Sequence, residues 1–234
     1  MTAARLDRVS WPQVKPALLV VPLGSCEQHG PHLPFDVDTC IASAVASRFG
    51  DGAADVVVAP ALAYGASGEH EAFAGTLSIG SDALAVLLLE LGRSAARWAD
   101  RLLLVNGHGG NADALLTATT HLREEGRDAA WWPCAVPGGD AHAGRTETSL
   151  MLALRPAAVA LARAEPGRVE PVRELMPELR RSGLAPVSPN GVLGDPTGAS
   201  AAEGQQLIGQ LAQRLCDDVE AWQVGSDGRL GATA

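Results

Sequence analysis

Short unbroken apolar runs alternate with longer stretches whose apolar residues recur at helical spacing. The runs are Ala17–Leu23 (ALLVVPL), Asp55–Ala59 (DVVVA), Leu102–Val105 and Ala129–Val136. Runs this short and continuous predict strands of a parallel sheet buried on both faces. Ile41, Val45 and Phe49 lie at four-residue steps and predict a helix over about 40–49, capped by Asp38 or Thr39. Leu84, Leu87, Leu88, Leu91 and Trp98 form the apolar stripe of a helix over about 82–99, with Ser81 as its cap. Asn111 caps a third helix that Gly126 ends, and Thr146 opens a fourth that must stop before Pro156. Ser200 and Glu203 form a capping box for a last helix reaching about Trp222.

Strands alternating with helices predict a three-layer α/β/α fold with a mostly parallel central sheet. The 234 residues suit one domain, spanning 1–234. Residues 1–16 read as a surface entry segment. Residues 164–198 carry six prolines and read as a long excursion, with room for a short helix near 172–181. It lies either near the site or at an oligomer contact. The tail from Val224 is expected to fray.

Charge and composition narrow the partners. A formal charge of −9 with no basic block argues against nucleic acid and anionic membrane. No apolar run approaches a membrane span, and no signal-peptide core precedes Pro12. Cys26, Cys40, Cys134 and Cys216 are scattered without a CxxC pair, which suits a reducing cytoplasm.

The chemistry gathers after the first strand. Gly24 to Asp38 packs two histidines and three carboxylates into fifteen residues. Such groups beside a buried strand are costly unless they bind something. In open α/β sheets, ligands collect beyond the carboxyl ends of the strands. Glu27, His29 and Asp38 follow the first strand, His108 the third, and His142 with Glu147 the fourth, so three distant clusters reach one edge. Carboxylate with imidazole suits Zn²⁺, Fe²⁺ or Mn²⁺, and the absence of thiolate pairs argues against a structural zinc site. Three carboxylates and two imidazoles exceed the ligands of one catalytic zinc. Two divalent ions about 3.5–4 Å apart, bridged by Asp38, are the economical arrangement.

Such a pair suits hydrolysis of an amide-type C–N bond, with His142 moving a proton to the leaving nitrogen. On spacing alone, Glu147 serves equally well as a helix N-terminal charge. Glu69 and His70, in a polar Gly-rich loop, suit either substrate contact or loop hydrogen bonding. His32 and Asp36 fall outside the ligand set, Cys26 reads as a small buried residue, and His121 lies at a helix surface or boundary. Gly107-His108-Gly109-Gly110 lacks the spacing of a P-loop or Rossmann turn.

Three motifs together resemble the creatininase family: Glu27-Gln28-His29-Gly30 with Asp38, Asn106-Gly107-His108-Gly109-Gly110-Asn111, and His142 with Glu147-Thr148-Ser149. The resemblance runs over about residues 17–222. It implies a binuclear-metal amidohydrolase of α/β fold, cytoplasmic and homo-oligomeric, with zinc, iron or manganese. By position, it places Glu27, Asp38 and His108 at one ion and His29, Asp38 and Glu147 at the other. His142 becomes the catalytic proton-transfer residue.

One departure stands out. Creatininase proper has a tyrosine and a metal-binding glutamate where this chain has Gly109 and Gly110. That argues against creatinine as substrate and implies room for something bulkier. The segments Tyr64–His70, Gly138–Ser149 and Gly191–Pro196 resemble a branch of the family that cleaves a modified precursor peptide near its C-terminus, during maturation of a peptide-derived redox cofactor. A small-ring or formamide amidohydrolase, and a metal-binding scaffold without activity, are the alternatives.

Overall fold

Strand β2 (Leu18–Leu23) is buried at all six positions, as a strand covered on both faces must be. The computed structural model describes residues 4–51, 53 and 55–231. Around β2 it assembles β1 (Ala4–Arg5), β3 (Val56–Val58), β4 (Arg101–Asn106) and β5 (Ala129–Pro133) in the order β1-β3-β2-β4-β5. Every pairing between these strands is parallel. Pro22 lies beyond the end of β3, which stops at Val58 level with Val20, and its carbonyl is met instead by Leu62 N from the following segment at 2.9 Å.

Side chains alternate along the strands and so feed two cores. Leu18, Val20, Leu103, Val105, Ala130 and Trp132 pack against α1 (Val37–Gly50), α4 (Arg145–Leu154) and α7 (Ala201–Ala221). Leu19, Val21, Leu102, Leu104, Ala129 and Trp131 pack against α2 (Ser81–Ala95) and α3 (Ala112–Glu124). This is the three-layer α/β/α arrangement that the apolar runs predict.

Several ends differ from expectation. Helix α1 starts at Val37, which puts Asp38 in its first turn rather than at its cap. Helix α2 takes Gly80, at φ 76°, as its N-cap and ends at Ala95, four residues short of the predicted end. Asn111 stands at the N-cap of α3, but its side chain is spent elsewhere: it accepts from Ala66 N–H and donates to Gly24 O and Asn106 Oδ1. At α7, Ser200 Oγ accepts from Glu203 N at 3.2 Å, yet Glu203 turns to Arg145 and Ser149 and leaves the box half formed.

The first and last described segments are tied down further than their composition suggests. Ala4 and Arg5 pair with β3 as an edge strand. The tail, expected to fray from Val224, turns back through a Val224–Leu230 bridge and joins Trp131 through Arg229. Leu230 is 1% exposed and donates to Trp131 O, so the tail covers the open edge of β5 through Gly231.

The proline-rich excursion holds α5 (Val172–Ser182) and the one-turn α6 (Leu184–Val187). Leu175, Leu184, Val187 and Leu193 pack with Phe73 into a small third cluster over the loop that carries Glu69 and His70. The excursion therefore builds on its own chain's site.

Candidate metal centre

Four loops meet at the carboxyl edge of the sheet. The loop after β2 brings Glu27 and His29 and runs into Asp38 on α1. The loop after β3 brings Glu69 and His70 on a 3-10 turn, Gly68–His70. His108 follows β4, and His142 precedes Glu147 in the first turn of α4. Close approach needs glycine at two points. A Cβ on Gly107 would stand 2.3 Å from Asp38 O, and one on Gly24 would stand 2.4 Å from the Thr39 backbone. Those two glycines let α1 press Asp38 against the ends of β2 and β4.

Two triads result. Glu27, Asp38 and His108 have ligand atoms within 4.8 Å of one another, and so have His29, Asp38 and Glu147. Asp38 is common to both. Its Oδ1 lies 3.4 Å from His29 Nε2 and its Oδ2 3.6 Å from His108 Nδ1, so each oxygen faces one triad. Ser25 Oγ donates to Oδ2 at 2.5 Å. His108 Nε2 is 3.1 Å from Glu27 Oε2, and His29 Nε2 is 3.7 Å from Glu147 Oε2. Glu27, His29 and His142 form a third, overlapping group.

The donor set fits divalent metal. Both carboxylate oxygens of Glu27, at 0% exposure, and Nε2 of His29 are buried without a hydrogen-bond partner among the described residues. Orphaned atoms of this kind cost about 1–3 kcal/mol each, more if charged, and three of the five such side-chain atoms among the described residues belong to Glu27 and His29. His29 Nδ1 is engaged with its neighbour Glu27 O at 3.1 Å, which turns Nε2 toward Asp38.

Electrostatics point the same way. Burial disfavours the charged form of His29, but Asp38 and Glu147 outweigh it and hold its pKa at about 10. Burial is likewise overcome at His108 by Glu27 and Asp38, again to about 10. Burial opposes ionisation of Glu27 and Asp38, yet His108 holds Glu27, and His29 holds Asp38, below the ordinary carboxylate range. Burial pushes Glu147 up to about 7. Before metal enters, protons on two imidazoles offset this carboxylate charge. Those protons would have to leave on metal binding, because an imidazole binds metal in its neutral form. Below about pH 10 metal uptake therefore releases protons, and affinity rises about tenfold per pH unit for each proton displaced. Titration calorimetry in buffers of different ionisation enthalpy is expected to find proton release on metal uptake at neutral pH. Uptake with no proton release would contradict this balance.

His142 sits beside both triads. Its Nδ1 is 3.7 Å from Glu27 Oε1. Burial first, and then His29, keep its pKa well below the usual histidine value, so it is neutral. Its backbone is pinned on both sides of the ring. His142 exchanges hydrogen bonds with Leu193 of the excursion, and Ala143 takes φ 52°, strained for a residue with a Cβ. Ala143 N–H donates to Glu147 Oε2 at 2.6 Å, so one turn sets both His142 and Glu147.

The remaining candidates are placed as follows. Glu69 stands at the rim, its side chain about a third exposed, with Oε1 3.6 Å from His108 Nε2. His70 is buried, with Nε2 3.5 Å from Glu27 Oε1. His32 donates to or accepts from Thr148 Oγ1 at 2.9 Å, and Asp36 pairs with Arg155 at the surface. Cys26 is half-buried, its carbonyl accepting from Leu77 N. His121 is exposed on α3. The two glycines after His108 differ. A Cβ on Gly109 meets open space, but one on Gly110 would meet Ala66 O and His108 Nε2 at 2.4 Å and Glu69 Oε1 at 2.8 Å. Extra room exists at Gly109 alone; at Gly110 another loop has filled it. Gln28 touches His70 and His142, and an uncharged amide carries no sequence signal of such a role.

A family model described as "Creatininase: Creatinine amidohydrolase" matches residues 7–219. The chain belongs to the creatininase family. Its chemistry is that of a metal-dependent hydrolase of amide bonds. Among its relatives, the mycofactocin precursor peptide peptidase of Mycobacterium ulcerans (strain Agy99) is 52% identical over 229 residues, covering 94% of this chain and 90% of that protein. The protein of the same name from Mycolicibacterium smegmatis (strain ATCC 700084 / mc(2)155) is 53% identical over 218 residues, covering 91% and 88%. Creatinine amidohydrolase of Pseudomonas putida is 30% identical over 234 residues, covering 86% and 88%. Of creatininase structures, one titled "Creatininase Mn" superimposes with a TM-score of 0.73 at 26% identity, covering 94% of this chain and 98% of that one. A creatininase mutant of "Zn-Zn type" reaches 0.77 at the same identity and coverage.

Proposed function

We propose that this creatininase-family hydrolase is a peptidase that cleaves a modified mycofactocin precursor peptide near its C-terminus during cofactor biosynthesis. The observation that carries the reading is its 52% identity, over 94% of the chain, to a mycofactocin precursor peptide peptidase, against 30% to a creatinine amidohydrolase. The open space beside Gly109 favours a substrate larger than creatinine.

In this reading Glu27, Asp38 and His108 hold one divalent ion, and His29, Asp38 and Glu147 hold the other. Zinc and iron suit this mixed carboxylate and imidazole set, and manganese is compatible with it. The chemistry such ions supply is polarisation of the scissile carbonyl and acidification of the attacking water. His142, neutral and buried beside both triads, would take the proton released by the attacking water and pass it to the departing nitrogen, without which an amine leaves poorly. Glu69 at the rim contacts the incoming peptide, and His70 stands behind it. In this reading the protein acts in the cytoplasm as a homo-oligomer, as its scattered cysteines and family resemblance imply.

Incubating the metal-loaded protein with the modified precursor and, separately, with creatinine tests the substrate. The expected result is a shortened peptide and a released C-terminal fragment by mass spectrometry, with creatinine untouched. Turnover of creatinine alone would overturn the peptidase reading.

A further inference from the structure

Hydrogen-bond accounting around Gln28 assigns roles to two residues that hold no ion. Gln28 Oε1 accepts from Gly30 N at 2.8 Å, which fixes the amide's orientation. Its Nε2 then has two hydrogens to place. One goes to Gly191 O at 3.1 Å. That carbonyl comes so near because Gly191 has φ 75° and no side chain; a Cβ there would stand 2.0 Å from Gln28 Oε1. The other hydrogen goes to His70 Nδ1 at 2.9 Å. His142 Nε2 also lies 3.1 Å from the amide nitrogen, but it has a nearer acceptor in Gln28 O at 2.8 Å. It donates its own hydrogen there, so the longer contact sets two donors side by side.

The consequences follow from ring chemistry. His70 accepts at Nδ1, so its hydrogen is on Nε2. His70 Nε2 stands 3.5 Å from Glu27 Oε1, near but not hydrogen-bonded to an oxygen left without a partner, and Glu69 Oε1 lies farther off at 3.8 Å. His142 donates at Nε2, so its bare nitrogen is Nδ1, on the Glu27 side.

We propose that Gln28 and His70 are positioning residues for the metal centre: Gln28 fixes the His70 tautomer, so that His70 offers its Nε2–H toward Glu27 Oε1 and leaves Oε2 to be presented beside His108. This rests on the two-ion reading of Glu27, Asp38 and His108 with His29 and Glu147. It gives His70 an inward partner in place of substrate. Outer partners of this type are worth about 10–100-fold in metal affinity.

The test is zinc titration of the wild-type chain, His70→Leu, His70→Gln and Gln28→Leu, followed by calorimetry, with ¹⁵N spectra of histidine-labelled protein. His70→Leu and Gln28→Leu are expected to weaken one ion by about 10–100-fold and leave the other, which doubles as a control for folding. His70→Gln keeps an N–H of similar reach and is expected to restore most of the loss. The wild-type spectrum is expected to show His70 protonated at Nε2 and bare at Nδ1, and Gln28→Leu to blur that preference. Wild-type affinity for both ions in His70→Leu would overturn this inference alone. Failure of the wild-type chain to bind two ions would overturn it together with the reading it rests on.

Discussion

Asp38→Ala is expected to lose both ions and, with them, all hydrolysis above background. Asp38 is 2% exposed and is the one residue common to the two triads. Its oxygens face different histidines, so no single rotation of a neighbour replaces it. Removing it also leaves the Ser25 hydroxyl without its carboxylate, which costs about 1–3 kcal/mol and lowers stability without unfolding the core. Glu147→Ala makes the contrast. Glu147 belongs to one of these two triads, and its loss is expected to release mainly one ion. Elemental analysis after dialysis reads both variants. Two ions retained by Asp38→Ala would refute the shared ligand.

The second large effect is at His142. His142→Ala is expected to keep both ions and lower kcat by roughly 10²–10⁴-fold, the usual worth of a positioned acid or base. The neutral ring suits acceptance of a proton, and its depressed pKa means activity is lost only well into acid on account of this group. The sign is fixed by that direction: His142 is competent as a base above its folded pKa and is protonated below it. Loss of an ion with the His142 substitution would instead move this residue into the ligand set, where its grouping with Glu27 and His29 would put it. Unchanged kcat would remove it from the mechanism.

The sheet was legible because burial on both faces forces unbroken apolar runs, and Leu18–Leu23 and Leu102–Val105 can be read no other way. The candidate site residues were legible for the opposite reason. Glu27, His29 and Asp38 are too costly to bury beside such a strand without partners. The edge strand Ala4–Arg5 and the returning tail left no trace, because two-residue pairings have no period to detect. Cap positions slipped where the capping side chain had a better partner, as Asn111 does in Ala66, Gly24 and Asn106. Gln28 and the crowding at Gly110 stayed hidden because each depends on which distant loops come to lie against it, Gly191 in one case and Glu69 in the other.

The central claim is a pair of ions sharing Asp38. Anomalous diffraction at the metal edge, from crystals of the metal-loaded protein, tests it most directly. The expected result is two peaks about 3.5–4 Å apart, one among Glu27, Asp38 and His108 and one among His29, Asp38 and Glu147. One peak, or two peaks with Asp38 touching only one of them, would contradict the account.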